Sequence, residues 1–156
     1  MPAHDRSRMT SDVEDKLAIS ELIASYPQVV DGRDFDGLDD LFTADARIDF
    51  SAFGGPCDSP AGVKPFLRES LGLFARTQHM MGLPLITLDG DRARARTSCT
   101  NPMVMNNPDG TTSVWLIGLW YDDEFIRTTA GWRFTSRKQE RCYGVVGLQD
   151  TPLGPA

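Results

Sequence analysis

The sequence predicts an α+β fold in which N-terminal helices pack on a curved, mainly antiparallel sheet. Three observations carry this. Apolar residues recur at helical spacing in segments that all lie before residue 77. Four strand-like stretches joined by short turns follow from there to residue 143. The 156 residues contain no internal repeat and suit one domain, long enough to bury about 68–70% of its unfolded surface.

Residues 1–10 are polar and aperiodic, and a frayed tail is expected there. Ser11-Asp12-Val13-Glu14 has the S-x-x-E form of a capping box and predicts a helix start. Ile19, Leu22, Ile23, Tyr26 and Val30 give this helix one core face, and Asp31-Gly32 supplies its stop. Pro27 removes the amide that would bond the Ile23 carbonyl, so a kink or early end is expected. A short helix is read over 34–42 and a strand over 46–53, where Ile48 and Phe50 alternate with Arg47 and Asp49. Ser59-Pro60 then opens a third helix carrying Val63, Phe66, Leu67, Leu71 and Phe74.

The four strands are expected at about 78–88, 91–105, 112–127 and 131–143, separated by Asp89-Gly90, Pro108-Asp109-Gly110 and Thr128-Thr129-Ala130-Gly131. Arg92, Arg94 and Arg96 form a basic ladder facing solvent and paired to Asp122, Asp123 and Glu124, and Arg137 to Arg141 read as the outer side of the last strand. Residues 114–121 are apolar on both faces, which predicts a homodimer or higher homo-oligomer through the sheet. The domain is thus bounded at 11–143, and the Gly- and Pro-rich residues 144–156 read as a tail, either a pocket flap or loose.

A net charge of -6 and a pI near 4.8 argue against nucleic acid as a partner, and no apolar run is long enough for a membrane span. Cys57, Cys99 and Cys142 are odd in number and lack metal or disulfide spacing. With no apolar leader segment at the N-terminus, the cytoplasm is the expected location.

Imidazole chemistry falls to His79, because the other histidine, His4, lies in the expected tail. A core histidine bonded to a backbone carbonyl is the plainer alternative. Asp31, at a helix C-terminus, faces the negative end of the macrodipole. It is either a turn-forming residue or, beside His79, half of a tuned base. Tyr26 precedes it by about 140° on an ideal helix, so the two share a cavity only if Pro27 bends the helix. Phe50, Phe53, Met80, Met81, Met103, Met105, Trp115 and Trp120 suggest an apolar lining for a small hydrophobic molecule, with Asn101 as an amide in the wall. The chain has no G-x-G-x-x-G, Walker loop, G-x-S-x-G or metal-spaced cluster, so neither a cofactor nor a metal is expected.

Tyr26 and Asp31-Gly32-Arg33-Asp34-Phe35, then Ala46-Arg47-Ile48-Asp49-Phe50, Thr77-Gln78-His79-Met80-Met81-Gly82 and Gly131-Trp132-Arg133-Phe134 together resemble the SnoaL-like family of the nuclear transport factor 2-like superfamily. By motif the chain is similar to scytalone dehydratase, bile acid 7-alpha-dehydratase and, more distantly, hexachlorocyclohexane dehydrochlorinase. The resemblance implies a cone-shaped α+β barrel, helices on a strongly curved mixed, mainly antiparallel sheet. It also implies an acid/base dyad of Asp31 and His79 assisted by Tyr26, and hence a cofactor-independent lyase performing β-elimination on a small, cyclic, hydroxylated substrate. Phe50 stands where scytalone dehydratase has a second tyrosine, and Thr100-Asn101-Pro102 where it has a second histidine. The same superfamily contains isomerases, polyketide cyclases and non-catalytic binding modules, which stay open as alternatives.

Overall fold

A computed structural model describes residues 6–149, with side chains described over 11–144. Helix α1 spans Arg6–Asp31. It begins ahead of Ser11, so the S-x-x-E turn lies inside the helix, and part of the expected tail forms its first turn. His4 lies outside the described residues. Ile19, Leu22, Ile23, Tyr26 and Val30 form the buried face, none above 9% exposed. Pro27 does not end the helix. Full burial of side chains such as Tyr26 and Val30 on either side contributes about 1.5–3 kcal/mol each, enough to offset the roughly 3 kcal/mol an internal proline costs.

Gly32 and Arg33 close the helix through amide bonds to Gln28 O (3.1 Å) and Val30 O (3.3 Å). A Cβ on Gly32 would stand 2.6 Å from Gln28 O, so glycine is required by close approach. The left-handed residue is the next one, Arg33, at φ 61°.

The expected 34–42 helix is a 3-10 turn, Phe35–Gly37, followed by α2, Leu38–Leu41. Strand β1, Phe42–Asp49, starts earlier than expected, and a second 3-10 turn, Ser51–Phe53, replaces its end. After β2, Cys57–Asp58, helix α3 spans Pro60–Gly72. Its N-cap is Ser59, whose hydroxyl accepts from the Gly62 N–H at 3.2 Å, as the Ser-Pro pair predicts.

The expected 78–88 strand is three pieces, β3 (Arg76–Thr77), β4 (Met80–Met81) and β5 (Leu85–Asp89), all antiparallel to β6 (Arg92–Asn106). β6, β7 (Thr112–Thr128) and β8 (Gly131–Gln149) form the expected antiparallel meander. β8 also pairs with β1 in parallel, which makes the eight-stranded curved sheet mixed, in the order β2-β1-β8-β7-β6-β3. Residues 144–149 of the segment read as a tail are therefore strand, paired to β7 as far as Gln149. Residues 150–156, the rest of the expected tail or flap, lie outside the described residues.

Paired residues share a face. Cys99, Asn101, Met103, Trp115, Leu119, Tyr121 and Asp123 face the helices, while the Arg94–Glu124 and Arg96–Asp122 rungs face away. The basic ladder is thus on the outer face, but Asp123 is not among its partners. On β8, Arg137 and Gln139 reverse expectation by facing inward. The pairs Phe125↔Phe134 and Glu124↔Ser136 bracket a β-bulge at Thr135, which shifts the alternation by one and turns Arg137 inward. Arg137 is fully buried, not an outer residue.

Candidate functional site

The cavity between helices and sheet has a volume of about 260 Å³. Tyr26 and Val30 of α1 enter from one side, Phe66, Leu67 and Leu71 of α3 from another, and Phe50 and Phe53 from the turn after β1. Asn101, Met103, Trp115, Ile117, Leu119 and Gln139 form the sheet wall, and His79 projects from between β3 and β4. Of the expected lining, Met80, Met81, Met105 and Trp120 are not in the cavity wall. Met81 packs against the core, while Met80 and Trp120 stand on the outer face, 55% and 36% exposed. Alternation forces this. Met80 adjoins the inward Met81, and Trp120 lies an odd five residues from the inward Trp115. Trp120 instead stacks against Arg96, whose Cζ is 4.9 Å from its ring centroid.

His79 Nδ1 lies 2.7 Å from Asp31 Oδ1, and the His79 backbone N–H donates to Asp31 Oδ2 at 2.8 Å. The Thr77 hydroxyl donates to Asp31 Oδ1 at 2.7 Å. Burial works to raise the Asp31 carboxyl, but the hydrogen bonds and charge of His79, together with Thr77, hold it below its usual value of 3.8. A carboxylate therefore accepts the Nδ1 proton, and in the tautomer this bond selects, Nε2 carries the lone pair. Nε2 is 3.0 Å from Asn101 Nδ2, which donates to it in this tautomer, leaving Asn101 Oδ1 buried without a partner.

Arg33 fastens this arrangement from behind. Its guanidinium donates to Thr77 Oγ1 (2.9 Å), Val30 O (3.0 Å) and Leu71 O (3.0 Å), tying the end of α1 to α3 and to the segment that carries His79.

The structure brings Tyr26, Asp31 and His79 together on a helix that continues through Pro27. Tyr26 meets the His79 ring edge-on at 6.2 Å, while Asp31 reaches the same ring from the helix terminus, so histidine bridges the angle between them. Burial pushes the Tyr26 phenol up to about 12, with the Arg137 charge the largest pull the other way. Cys99 is also buried here, its thiol raised to about 12 chiefly by desolvation, so it stays protonated and inert. Among the described residues no three His, Cys, Asp or Glu side chains are placed to hold a metal ion. No described helix is long and apolar enough to cross a membrane.

Three groups were not assigned a role from sequence. Thr77 and Gln139 sit two residues from the dyad and on the cavity wall. Arg137 lies beneath Tyr26. A signal for Thr77 was its spacing of two from His79, which puts both on one side of an extended segment. Arg137 had no such signal, because the bulge that turns it inward leaves no mark in the residue pattern.

Helices lining a curved mixed sheet, with an apolar cavity and a histidine–carboxylate pair in its wall, define an α+β cone fold with an internal site. Residues 11–138 match the SnoaL-like domain model, and the chain belongs to that family. It is 40% identical to the uncharacterized protein Rv2910c of Mycobacterium tuberculosis over 140 residues, which cover 89% of this chain and 94% of that one. The crystal structure of the Kfla4162 protein from Kribbella flavida is similar at a TM-score of 0.78 and 29% identity, over 86% of this chain and 95% of that one. Fold alone is shared with a scytalone dehydratase-like protein of Novosphingobium aromaticivorans (TM-score 0.78, 16% identity, 95% and 99% covered) and with a hexachlorocyclohexane dehydrochlorinase, LinA type 2 (TM-score 0.77, 19% identity, 97% and 99% covered).

Proposed function

We propose that the cavity is the active site of a cofactor-independent lyase of the dehydratase type, acting on a small, apolar, cyclic hydroxylated substrate. The observation that carries this is the His79 ring, bonded through Nδ1 to Asp31 while Nε2 meets the cavity wall at Asn101. Nε2 takes a proton from carbon next to a carbonyl, the carbon–carbon double bond forms, and the neighbouring carbon–oxygen bond breaks. Asp31 stabilises the imidazolium so produced, and Tyr26 hydrogen-bonds the carbonyl or the departing hydroxyl, which leaves as water with the abstracted proton. The apolar lining excludes bulk water and strengthens each of these interactions.

The test is a panel of cyclic hydroxy-ketones assayed for dehydration with the unaltered protein, Asp31→Asn and His79→Ala. Each variant is expected to lose about 10²–10⁴-fold in turnover while keeping its fold. Full turnover by a folded Asp31→Asn protein would remove the dyad from the reaction.

A second reading, a non-catalytic small-molecule binding module, is supported by the Asn101 amide, which occupies the lone pair that a base needs. It expects Asp31→Asn to leave ligand affinity intact and no member of the panel to react. In either reading we propose a homodimer through the outer sheet face. Met80, Leu85, Trp120 and Tyr143 are exposed there beside alternating Arg and acidic rungs, a surface that complements its own copy about a two-fold axis. A monomeric mass in light scattering at micromolar concentration rejects it.

A further inference from the structure

Beneath the cavity lies an ion pair that the elimination chemistry does not use. Arg137 donates from Nε to Asp123 Oδ1 and from Nη2 to Asp123 Oδ2, both at 2.8 Å, and both side chains are wholly buried. Its third nitrogen, Nη1, has no hydrogen-bond partner. The cation is surrounded by aromatic rings, with Cζ 4.2 Å from the centroids of Tyr26 and Tyr121 and 4.4 Å from that of Phe134. One of those rings, Tyr26, forms cavity wall and meets His79 edge-on.

A pair whose only task was to hold the sheet together would gain most by closing all its donors, and apolar residues of similar volume would serve as well. This one leaves a donor nitrogen open and places its charge against two phenols. We infer that Arg137 is a positioning residue for Tyr26: held rigid by Asp123, it fixes the phenol ring against the cavity and supplies the positive charge against which that phenol can release a proton. The ligand chemistry that follows is a departing or developing oxyanion at the Tyr26 hydroxyl, with the proton passing from phenol to substrate oxygen and being restored from the imidazolium of His79.

The ionisable groups facing Tyr26 are Arg137, Asp123, Cys99, Tyr121 and His79. Arg137 opposes the effect of burial, whereas Asp123 and Cys99 add to it. Removing the two members of the pair should therefore act in predictable directions. The inference rests on the reading of Tyr26 as the group that bonds substrate oxygen, but its test needs no substrate, so failure of the lyase reading and failure of this one are separate results.

The experiment is a fluorine NMR pH titration of protein labelled with 3-fluorotyrosine, whose phenol is more acidic than that of tyrosine. The three tyrosines are assigned by Tyr26→Phe, Tyr121→Phe and Tyr143→Phe. In the unaltered protein the Tyr26 signal is expected to titrate while the fold is intact. In the doubly substituted Arg137→Met, Asp123→Leu protein, which exchanges the pair for apolar groups of similar size, it moves up by about one pH unit or more. In Asp123→Asn, where the cation is unopposed, it moves down by about one pH unit. The exposed Tyr143 stays put in both. Near-ultraviolet circular dichroism confirms folding of each variant. Tyr26 titrating only as the unaltered protein unfolds overturns the inference without recourse to any variant, as does an unmoved Tyr26 in a folded variant of either kind.

Discussion

Asp122 and Asp123 are consecutive on β7, each receives an arginine from a neighbouring strand, and they stand on opposite faces of the sheet. Asp122 accepts from Arg96 at 2.7 Å with side chains 44% and 40% exposed, whereas Asp123 accepts from Arg137 at 2.8 Å with both at 0%. The chemistry is the same and the solvent is not. On the outer face water solvates either partner alone, so the bond contributes about 0–1 kcal/mol. Inside, neither partner has an alternative, and losing one strands the other at a cost of roughly 3–5 kcal/mol. Geometry at the contact says little about energetic weight; what each group would face without its partner decides it.

The contrast can be pressed at four points. The largest effect belongs to the inner side, where His79→Gln keeps hydrogen-bonding capacity but not a base, and turnover by the dehydratase assay is expected to fall by about 10²–10⁴-fold. Next, Asp123→Ala should lower stability by roughly 3–5 kcal/mol, which denaturant titration measures directly. A loss below about 1 kcal/mol there would show that water or a rearranged Arg137 relieves the buried charge. Third comes acid. Asp31 has a folded value below its unfolded one, so its contribution is complete above about 3.8 and is lost as pH falls through the lower, folded value. Asp31→Asn should therefore show a shallower loss of stability below pH 4 than the unaltered protein does. The smallest effect is on the outer face, where Asp122→Ala is expected to cost about 0–1 kcal/mol and to cost less still in molar salt. If it matches Asp123→Ala, desolvation is not what separates the two faces.

Much of this site was legible in the residues. The helical spacing of Ile19 to Val30 predicts the face that Tyr26 shares, and the Ser59-Pro60 start of α3 is where the cap chemistry puts it. The pairing of Asp31 with His79 came from the family resemblance, since nothing in local spacing can bring residues 48 positions apart into contact. Two of the misplaced lining residues are legible as such, because strict alternation sends Trp120 away from Trp115 and Met80 away from Met81. Arg137 is a different case. Counting by twos from the inward Phe134 predicts that residue 137 faces out, and only the bulge at Thr135 reverses it. A bulge is decided by how β7 and β8 fit together across the curved sheet, a property of two strands that neither sequence segment carries alone. The 3-10 turn and short α2 that replace the expected helix at 34–42 belong to the same class, because packing of Phe35, Leu38 and Leu41 sets where that segment bends.

Arg33 gives the site a place in time as well as in space. Its bonds to Thr77, 44 residues away, and the contact of Asp31 with His79 close long loops, and contacts of that range form late because chain entropy opposes them until the intervening helix and strands have docked. A chain that has collapsed, with α1 formed and the β6–β7–β8 meander paired, still lacks the Asp31–His79 contact. During refolding from denaturant, recovery of turnover should therefore lag the far-ultraviolet signal, and Arg33→Ala should lengthen that lag more than it lowers the final stability.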